Sequence, residues 1–168
     1  MDPLPRPDYG RRTDDPAWLA RVVQFHGHLG PTAVAGARLG AAGRRAVEAK
    51  GYFDVEVRVE GPLEKPPQSC LLDGVQVSTG ATLGKRSLHW VPAEKIVVRV
   101  KNAQTGKIAE VRPTPKLLEL LAALKPLPKS AGSDKAHQDA DAHLEAVARK
   151  IAAMPEAELA TVKVVAVR

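Results

Sequence analysis

Apolar residues recur at helical spacing near the start of the chain. Leu19, Val22 and Val23 lie on one side of a helix, and Asp15 precedes them at the position of an N-cap. Gly27 then supplies a helix stop. The pattern predicts a first helix that begins after Asp15 and ends at Gly27.

A second predicted helix, over residues 31–50, carries glycines along one face. Gly36, Gly40 and Gly43 follow one another at spacings of four and three, and each weakens a helix by up to about 1 kcal/mol relative to alanine. Glycines placed in this way indicate that another segment comes very close. We expect tight packing within the subunit, and the alternative is a close-approach face in a homodimer.

Hydrophobic residues change from helical spacing to alternation after residue 53. Valine alternates with charged residues over 54–60, which is typical of a strand with one solvated face. Further strands are predicted at 87–91, 95–102, 108–112 and 161–167. The middle strands are separated by short turns, which favours an antiparallel meander.

The predicted helices and strands are segregated along the chain. Further helices are predicted at 70–78, 114–124 and 140–154. This order predicts an α+β fold in which an antiparallel-rich sheet packs against several helices, in a single core domain over 15–168. Residues 1–14 are predicted to form an extended N-terminal arm, and residues 125–135, rich in proline and lysine, a mobile linker.

Composition narrows the classes of function. The 168 residues are 44% hydrophobic and carry a formal charge of +6, but basic residues come no more than two in a row and only 4% are aromatic. A dedicated nucleic-acid binder is therefore not expected. No apolar run reaches the roughly 18 residues of a membrane helix, and the polar N-terminus is unlike a signal peptide. We expect a cytoplasmic protein with no membrane partner.

Two histidines flank the glycine that ends the first predicted helix. At a helix-to-loop junction the imidazoles of His26 and His28 can converge on one point, and neutral imidazole is a common ligand of transition metals. A His-x-His pair alone is a weak signal, so a purely structural role stays open.

The single cysteine excludes a disulfide within the chain and any metal site made of cysteines alone. If Ser69 caps the helix that follows, Cys70 lies in the first turn, where the helix N-terminus lowers the pKa of a thiol. Asp73 lies three residues further, on the same face. These residues are equally compatible with a small buried thiol and an ordinary acidic residue.

The glycine-rich stretch of residues 79–86 imitates a phosphate loop. It has three residues between Gly80 and Gly84 where the nucleotide-binding pattern needs four, and Arg86 replaces the Ser or Thr. Nucleotide hydrolysis is therefore rejected. The turn with Lys85 and Arg86 could still hold a small anion, or it could simply connect two elements.

Taken together, residues 25–31 (FHGHLGP) and 70–85 (CLLDGVQVSTGATLGK) resemble the motifs of the E-subunit family of formylmethanofuran dehydrogenase. Residues 151–167 are similar to that family's closing helix and strand. The resemblance covers roughly residues 17–168 and implies a stand-alone, homodimeric α+β core. It also implies a site in which the His-x-His turn and the helix from Cys to Asp surround a divalent metal, commonly zinc.

Two positions depart from the family pattern. The family has Cys where this chain has Gly30 and Ala81, so two sulfur atoms are missing. Carried over residue by residue, the resemblance implies His26, His28 and Cys70 as metal ligands. Asp73 and Lys85 are carried over with them as candidate catalytic residues. We expect Asp73 to support a metal ligand or to act as a general base, and Lys85 with Arg86 to hold an anionic or carbonyl-bearing one-carbon carrier.

The family is named for its association with the molybdenum or tungsten enzyme that makes formylmethanofuran, which links the chain to one-carbon metabolism. We therefore expect a metal-binding domain of this family, and whether it is an enzyme stays open. The alternative is a non-catalytic accessory or ligand-binding subunit that docks onto a larger redox enzyme, with its metal structural or absent.

Overall fold

The computed structural model describes residues 3–7, 9–124 and 134–165. The helices are α1 (Ala17–His26), α2 (Pro31–Ala46), α3 (Leu71–Thr79), α4 (Pro115–Ala122), α5 (Asp134–Ala153) and α6 (Glu156–Leu159). The strands are β1 (Val55–Glu60), β2 (Leu88–Val91), β3 (Val97–Asn102), β4 (Ile108–Pro113) and β5 (Ala160–Val165). A 3₁₀ turn, Gln68–Cys70, precedes α3. Within these ranges no helix combines the length and apolarity needed to cross a bilayer.

The five strands form one sheet in the order β2-β1-β3-β4-β5. Neighbouring strands from β1 through β3 and β4 to β5 are antiparallel, with Val57 opposite Val100 and Val98 opposite Val111. β2 is parallel to β1, because the connection through α3 crosses over before it returns to the sheet. The predicted α+β fold with an antiparallel-rich sheet is confirmed. The predicted meander over residues 87–112 is wrong at its first strand, because β2 pairs with β1 rather than with β3, whereas β3 and β4 do form an antiparallel pair.

The glycine face of α2 packs within the chain. A Cβ added at Gly36 would overlap the Leu71 carbonyl oxygen of α3, and one added at Gly43 would meet the side chains of Val100 and Val111. Gly40 likewise faces α3. Close packing of α2 against both α3 and the sheet therefore explains these glycines, in agreement with the expectation of packing inside the subunit.

The helix boundaries differ from the prediction for local reasons. α1 has Pro16 at its N-cap, because the Asp15 carboxylate instead accepts from the Arg12 amide and pairs with Arg149. α2 ends at Ala46 rather than near Lys50, since the chain turns through a left-handed Glu48. The short helix α6 was not predicted.

The predicted N-terminal arm and the predicted linker are only partly described by the structure. Residues 3–7 and 9–12 contain no helix or strand, and Gly10 contacts α5 through Glu145 and Arg149. Residues 125–133 of the predicted linker lie outside the described part of the chain, and the last two linker residues belong to α5.

Candidate functional site

The turn between α1 and α2 positions the two predicted histidine ligands. Gly27 adopts a left-handed conformation with φ 97°, and its amide donates to the Val23 carbonyl oxygen, so α1 ends immediately after His26. Pro31 occupies the first turn of α2. His28 is therefore held in a short turn between two fixed helix ends.

The ring of His26 is oriented by α3. Its Nδ1 lies 2.7 Å from Oδ2 of Asp73, in the first turn of that helix, and the His26 side chain is only 8% exposed. Because an ionised carboxylate can only accept, the proton lies on Nδ1 of His26. With Nδ1 directed at Asp73, Nε2 is the nitrogen left to face a ligand, which is the arrangement of many metal-ligating histidines.

His28 faces the same place as His26. The two ring centroids are 4.5 Å apart. A Cβ added at Gly30 would lie 3.0 Å from Nε2 of His28 and 3.2 Å from Nε2 of His26. Partial desolvation, followed by the neighbouring His26, lowers the pKa of His28, so this ring is neutral at pH 7. Two imidazole rings thus border one small space above Gly30.

A mainly apolar cavity of about 280 Å³ opens beside this space. His28, Gly30 and Cys70 line it together with Leu124, which follows α4, and Leu144 of α5. The sequence motifs contain the first three residues. The two leucines were missed, because only the tertiary fold brings the later helices to the His-x-His turn.

Cys70 lies at this cavity, but its chemistry differs from the prediction. The thiol is half-buried at the end of the 3₁₀ turn, ahead of α3 rather than in its first turn. Burial, and then the negative charge of Asp73, raise the pKa of the Cys70 thiol above its usual value. The prediction of a lowered thiol pKa is therefore wrong, because desolvation and a carboxylate outweigh the nearby helix N-terminus.

The predicted ligands are only partly assembled. Among the residues that the structure describes, no group of three or more His, Cys, Asp or Glu side chains is positioned to hold a metal ion. The pair of imidazoles over Gly30 is in place, and Cys70 shares the cavity with His28. The ligand set His26, His28 and Cys70 stays a prediction.

Lys85 lies at a different place from the histidine cavity. Its Nζ donates to the Gly80 carbonyl oxygen and lies 5.6 Å and 5.0 Å from the ring centroids of Tyr52 and Phe53. Sequence reasoning did not connect these exposed aromatic residues with the loop. The catalytic role of Lys85 stays a prediction, and the geometry does not bring it to His28.

Comparison with known proteins identifies a family whose match includes the histidine turn. The family model described as "FmdE, Molybdenum formylmethanofuran dehydrogenase operon" matches residues 25–161, which include both sequence motifs. An Archaeoglobus fulgidus protein described as "Probable S-adenosyl-L-methionine-binding protein" is 33% identical over 91 residues, a stretch that is 53% of this chain and 24% of that relative. The match thus spans about a quarter of the relative's length. Because the family model covers most of the chain, the protein belongs to the FmdE family, the E-subunit family of formylmethanofuran dehydrogenase.

Proposed function

We propose that the protein binds one divalent metal ion, with zinc as the expected metal, at the turn between α1 and α2. The observation that carries this proposal is the shared position of the two imidazole nitrogen atoms over Gly30. Asp73 orients the ring of His26 so that its Nε2 is available as a ligand, and partial desolvation favours the neutral form of His28 that a metal ion requires. Imidazole nitrogen is a standard ligand of zinc.

The remaining donors suit an incomplete coordination sphere. Cys70 supplies a thiol at the same cavity, and a metal ion binds the thiolate form, so binding would release its proton. Asp73 is committed to Nδ1 of His26, which makes it a positioning residue rather than a general base. A zinc ion with an open position would act as a Lewis acid toward a carbonyl group of a ligand in the cavity.

The cavity has room for a small and mainly apolar part of a larger ligand. Its volume of about 280 Å³ lies at the lower end of small-molecule sites. A part of a one-carbon carrier is the class of ligand that the family association favours. S-adenosyl-L-methionine, named in the description of the archaeal relative, is a second ligand to screen.

A second candidate function is that of an accessory subunit. The family description names the operon of a molybdenum enzyme, which favours docking onto a larger redox partner. Purification of the endogenous protein would distinguish the two functions. A stoichiometric large partner supports the accessory role, whereas a free protein, as monomer or homodimer, with an occupied metal site supports independent metal-dependent activity.

The metal proposal predicts that zinc binding depends on His28 and not on histidine content. Untagged wild-type protein should bind about one zinc ion per chain, and His28→Ala should bind it at least tenfold more weakly, because one of two imidazole ligands is lost. His89→Ala is the matched control, since His89 lies on β2 and contacts the Arg86 carbonyl oxygen. The measurement is elemental analysis followed by titration against a chelator. Equal affinity of His28→Ala and wild type would contradict the site.

Cys70→Ser tests the third ligand in the same titration. If the thiol ligates zinc, the affinity should fall by about tenfold or more, since a hydroxyl is a poor substitute for a thiolate. Unchanged affinity would remove Cys70 from the ligand set and leave the two histidines.

Gly30→Ala tests the metal site without removing any metal ligand. Gly30 has φ −93° and ψ 131°, which alanine adopts without strain, yet its methyl group would stand 3.0 Å from Nε2 of His28. Gly30→Ala is therefore expected to weaken zinc binding about tenfold, an effect comparable with removal of a hydrogen bond to a ligand. Gly84→Ala is the control, because nothing lies within 4 Å of its added Cβ. Full affinity in Gly30→Ala would place the ion elsewhere.

A further inference from the structure

A second and larger cavity lies on the other half of α2, away from the histidine turn. It has a volume of about 460 Å³, within the range of small-molecule sites. We call this cavity the arginine groove. Three helices line it: α1 with Trp18 and Arg21, α2 with Ala37, Arg38, Ala41, Arg44 and Arg45, and α3 with Val77 and Ser78. Four of these nine residues are arginines and none is acidic.

Two of the guanidinium groups are fixed by uncharged acceptors. Arg38 donates to the carbonyl oxygens of Ile151, Ala152 and Met154, at the end of α5. Arg44 donates to carbonyl oxygens at Ser78 and at residues 49–50. A carbonyl oxygen satisfies a hydrogen bond but carries no net charge. Neither arginine forms an ion pair with a described residue, so their positive charges are offset only in part, by the negative ends of the helices and, at Arg38, by the nearby charge of Glu156.

The other two arginines complete an excess of positive charge. Arg45 forms an ion pair with Glu156 of α6. Arg21 is exposed and makes no hydrogen bond or ion pair with a described residue. Burial lowers the pKa of Arg38, the charge of Glu156 raises it in part, and the charge of Arg45 adds a smaller lowering effect. Within the described part of the chain, four guanidinium groups thus share one carboxylate.

Arginines elsewhere in the protein are balanced differently. On the outer face of the sheet, Arg99 contacts both Glu60 and Glu110, and Arg58 also contacts Glu60. Among the four arginines of the groove, only Arg45 forms such an ion pair with a described residue.

The rest of the groove is apolar and partly aromatic. Ala37 and Ala41 form a surface of small residues, bordered by the half-buried Trp18 and by Val77. An indole beside small side chains offers a planar ring a place to stack. The groove thus combines fixed guanidinium donors with a stacking surface.

We propose that the arginine groove binds a phosphate-bearing small molecule that also contains a planar ring. Guanidinium groups recognise phosphate oxygens through paired, charge-assisted hydrogen bonds. A phosphorylated ligand would supply the negative charge that the groove lacks, and its ring would cover the apolar surface. This site is independent of the proposed metal site, since no residue lines both cavities.

The test measures binding of three probes to the intact chain by calorimetry. Adenosine diphosphate carries phosphates and a ring, inorganic pyrophosphate carries phosphates alone, and adenosine carries the ring alone. We expect the diphosphate to bind about tenfold more tightly than pyrophosphate, because stacking adds to the phosphate contacts, and adenosine to bind weakest. Absence of saturable binding of both phosphorylated probes at millimolar concentration would overturn the proposal.

Arg21→Gln is the variant that tests the groove without disturbing its supports. It removes one charge that has no partner among the described residues, and we expect affinity for the diphosphate to fall about tenfold. Arg58→Gln is the matched control, since it removes the same charge from the sheet face. An equal loss in both variants would reduce the effect to net charge and contradict a specific site.

Glu156→Gln provides the opposite test. Glu156 competes with a ligand for Arg45, so its neutralisation should tighten binding several-fold. A purely structural ion pair would give no gain. Single-stranded RNA is the last probe in the experiment. If RNA binds more tightly than adenosine diphosphate and displaces it, the groove is a nucleic-acid site and the proposal is wrong.

Discussion

Gly74→Ala is expected to lower the free energy of unfolding by about 3 kcal/mol or more. Gly74 lies in α3 where this helix meets α2, and an added Cβ would overlap the Ala33 carbonyl oxygen and the Ala37 amide nitrogen of α2. Both atoms belong to helix backbone, which cannot rotate away as a side chain would. The two helices must therefore separate to admit one methyl group, and urea denaturation measures the cost.

Two other glycines separate this overlap from general effects of alanine. Gly84→Ala should change stability by less than about 0.5 kcal/mol, because its Cβ enters open space. Gly27→Ala also enters open space but forces a left-handed conformation, so about 1–2 kcal/mol is expected. If Gly74→Ala were as mild as Gly84→Ala, the close approach of α2 and α3 would be refuted.

Arg149→Met is expected to cost about 3 kcal/mol at neutral pH, because it leaves the carboxylate of Asp15 buried without its partner. The Asp15 side chain is 4% exposed, and the guanidinium of Arg149 contacts both of its oxygens at 2.7 Å and 2.9 Å. Lys116→Met is the control. It removes an exposed ion pair with Glu158, so a loss below about 1 kcal/mol is expected.

The pH dependence of this effect has a defined sign. Hydrogen bonds from Arg149 hold the pKa of Asp15 below its usual value of about 3.9, so the pair stabilises the fold fully above that value. The stabilisation disappears as the pH falls through the lowered pKa. The difference in unfolding free energy between wild type and Arg149→Met should therefore be largest near pH 7 and shrink below about pH 4. A difference that grows on acidification would contradict the ion pair.

Features encoded by neighbouring residues could be predicted from the sequence. The end of α1 at Gly27 depends on a local glycine stop, and the convergence of His26 and His28 follows from it. The alternation over 54–60 likewise gave β1. The α+β fold class could be predicted from the order of the helices and strands alone, and the periodicity of apolar residues indicates that order.

Features that depend on distant residues could not be predicted. Asp15 is a residue type that often occupies an N-cap. Its carboxylate instead accepts a hydrogen bond from Arg149, which lies 134 positions away in the sequence. The raised pKa of the Cys70 thiol depends on burial, which the sequence around it does not reveal. The arginine groove was missed for a related reason: Arg38, Arg44 and Arg45 lie together on α2, but only the packing of α1 and α3 against α2 forms the cavity that they line with Arg21.

The contacts of Arg38 also determine how α5 loses its structure. Helices ordinarily fray at both ends, where backbone groups lack partners. Here the last carbonyl oxygens of α5 are bound by Arg38, and Ala148 and Ile151 are buried, whereas residues 138–143 are largely exposed. We therefore expect local opening to begin at the start of the helix and to stop before its anchored end, with amide hydrogen exchange fastest near the start of the helix. Leu144 lies between the exposed start and the anchored end of α5, and it lines the cavity beside His28. Opening of the start of α5 should therefore change the shape of that cavity.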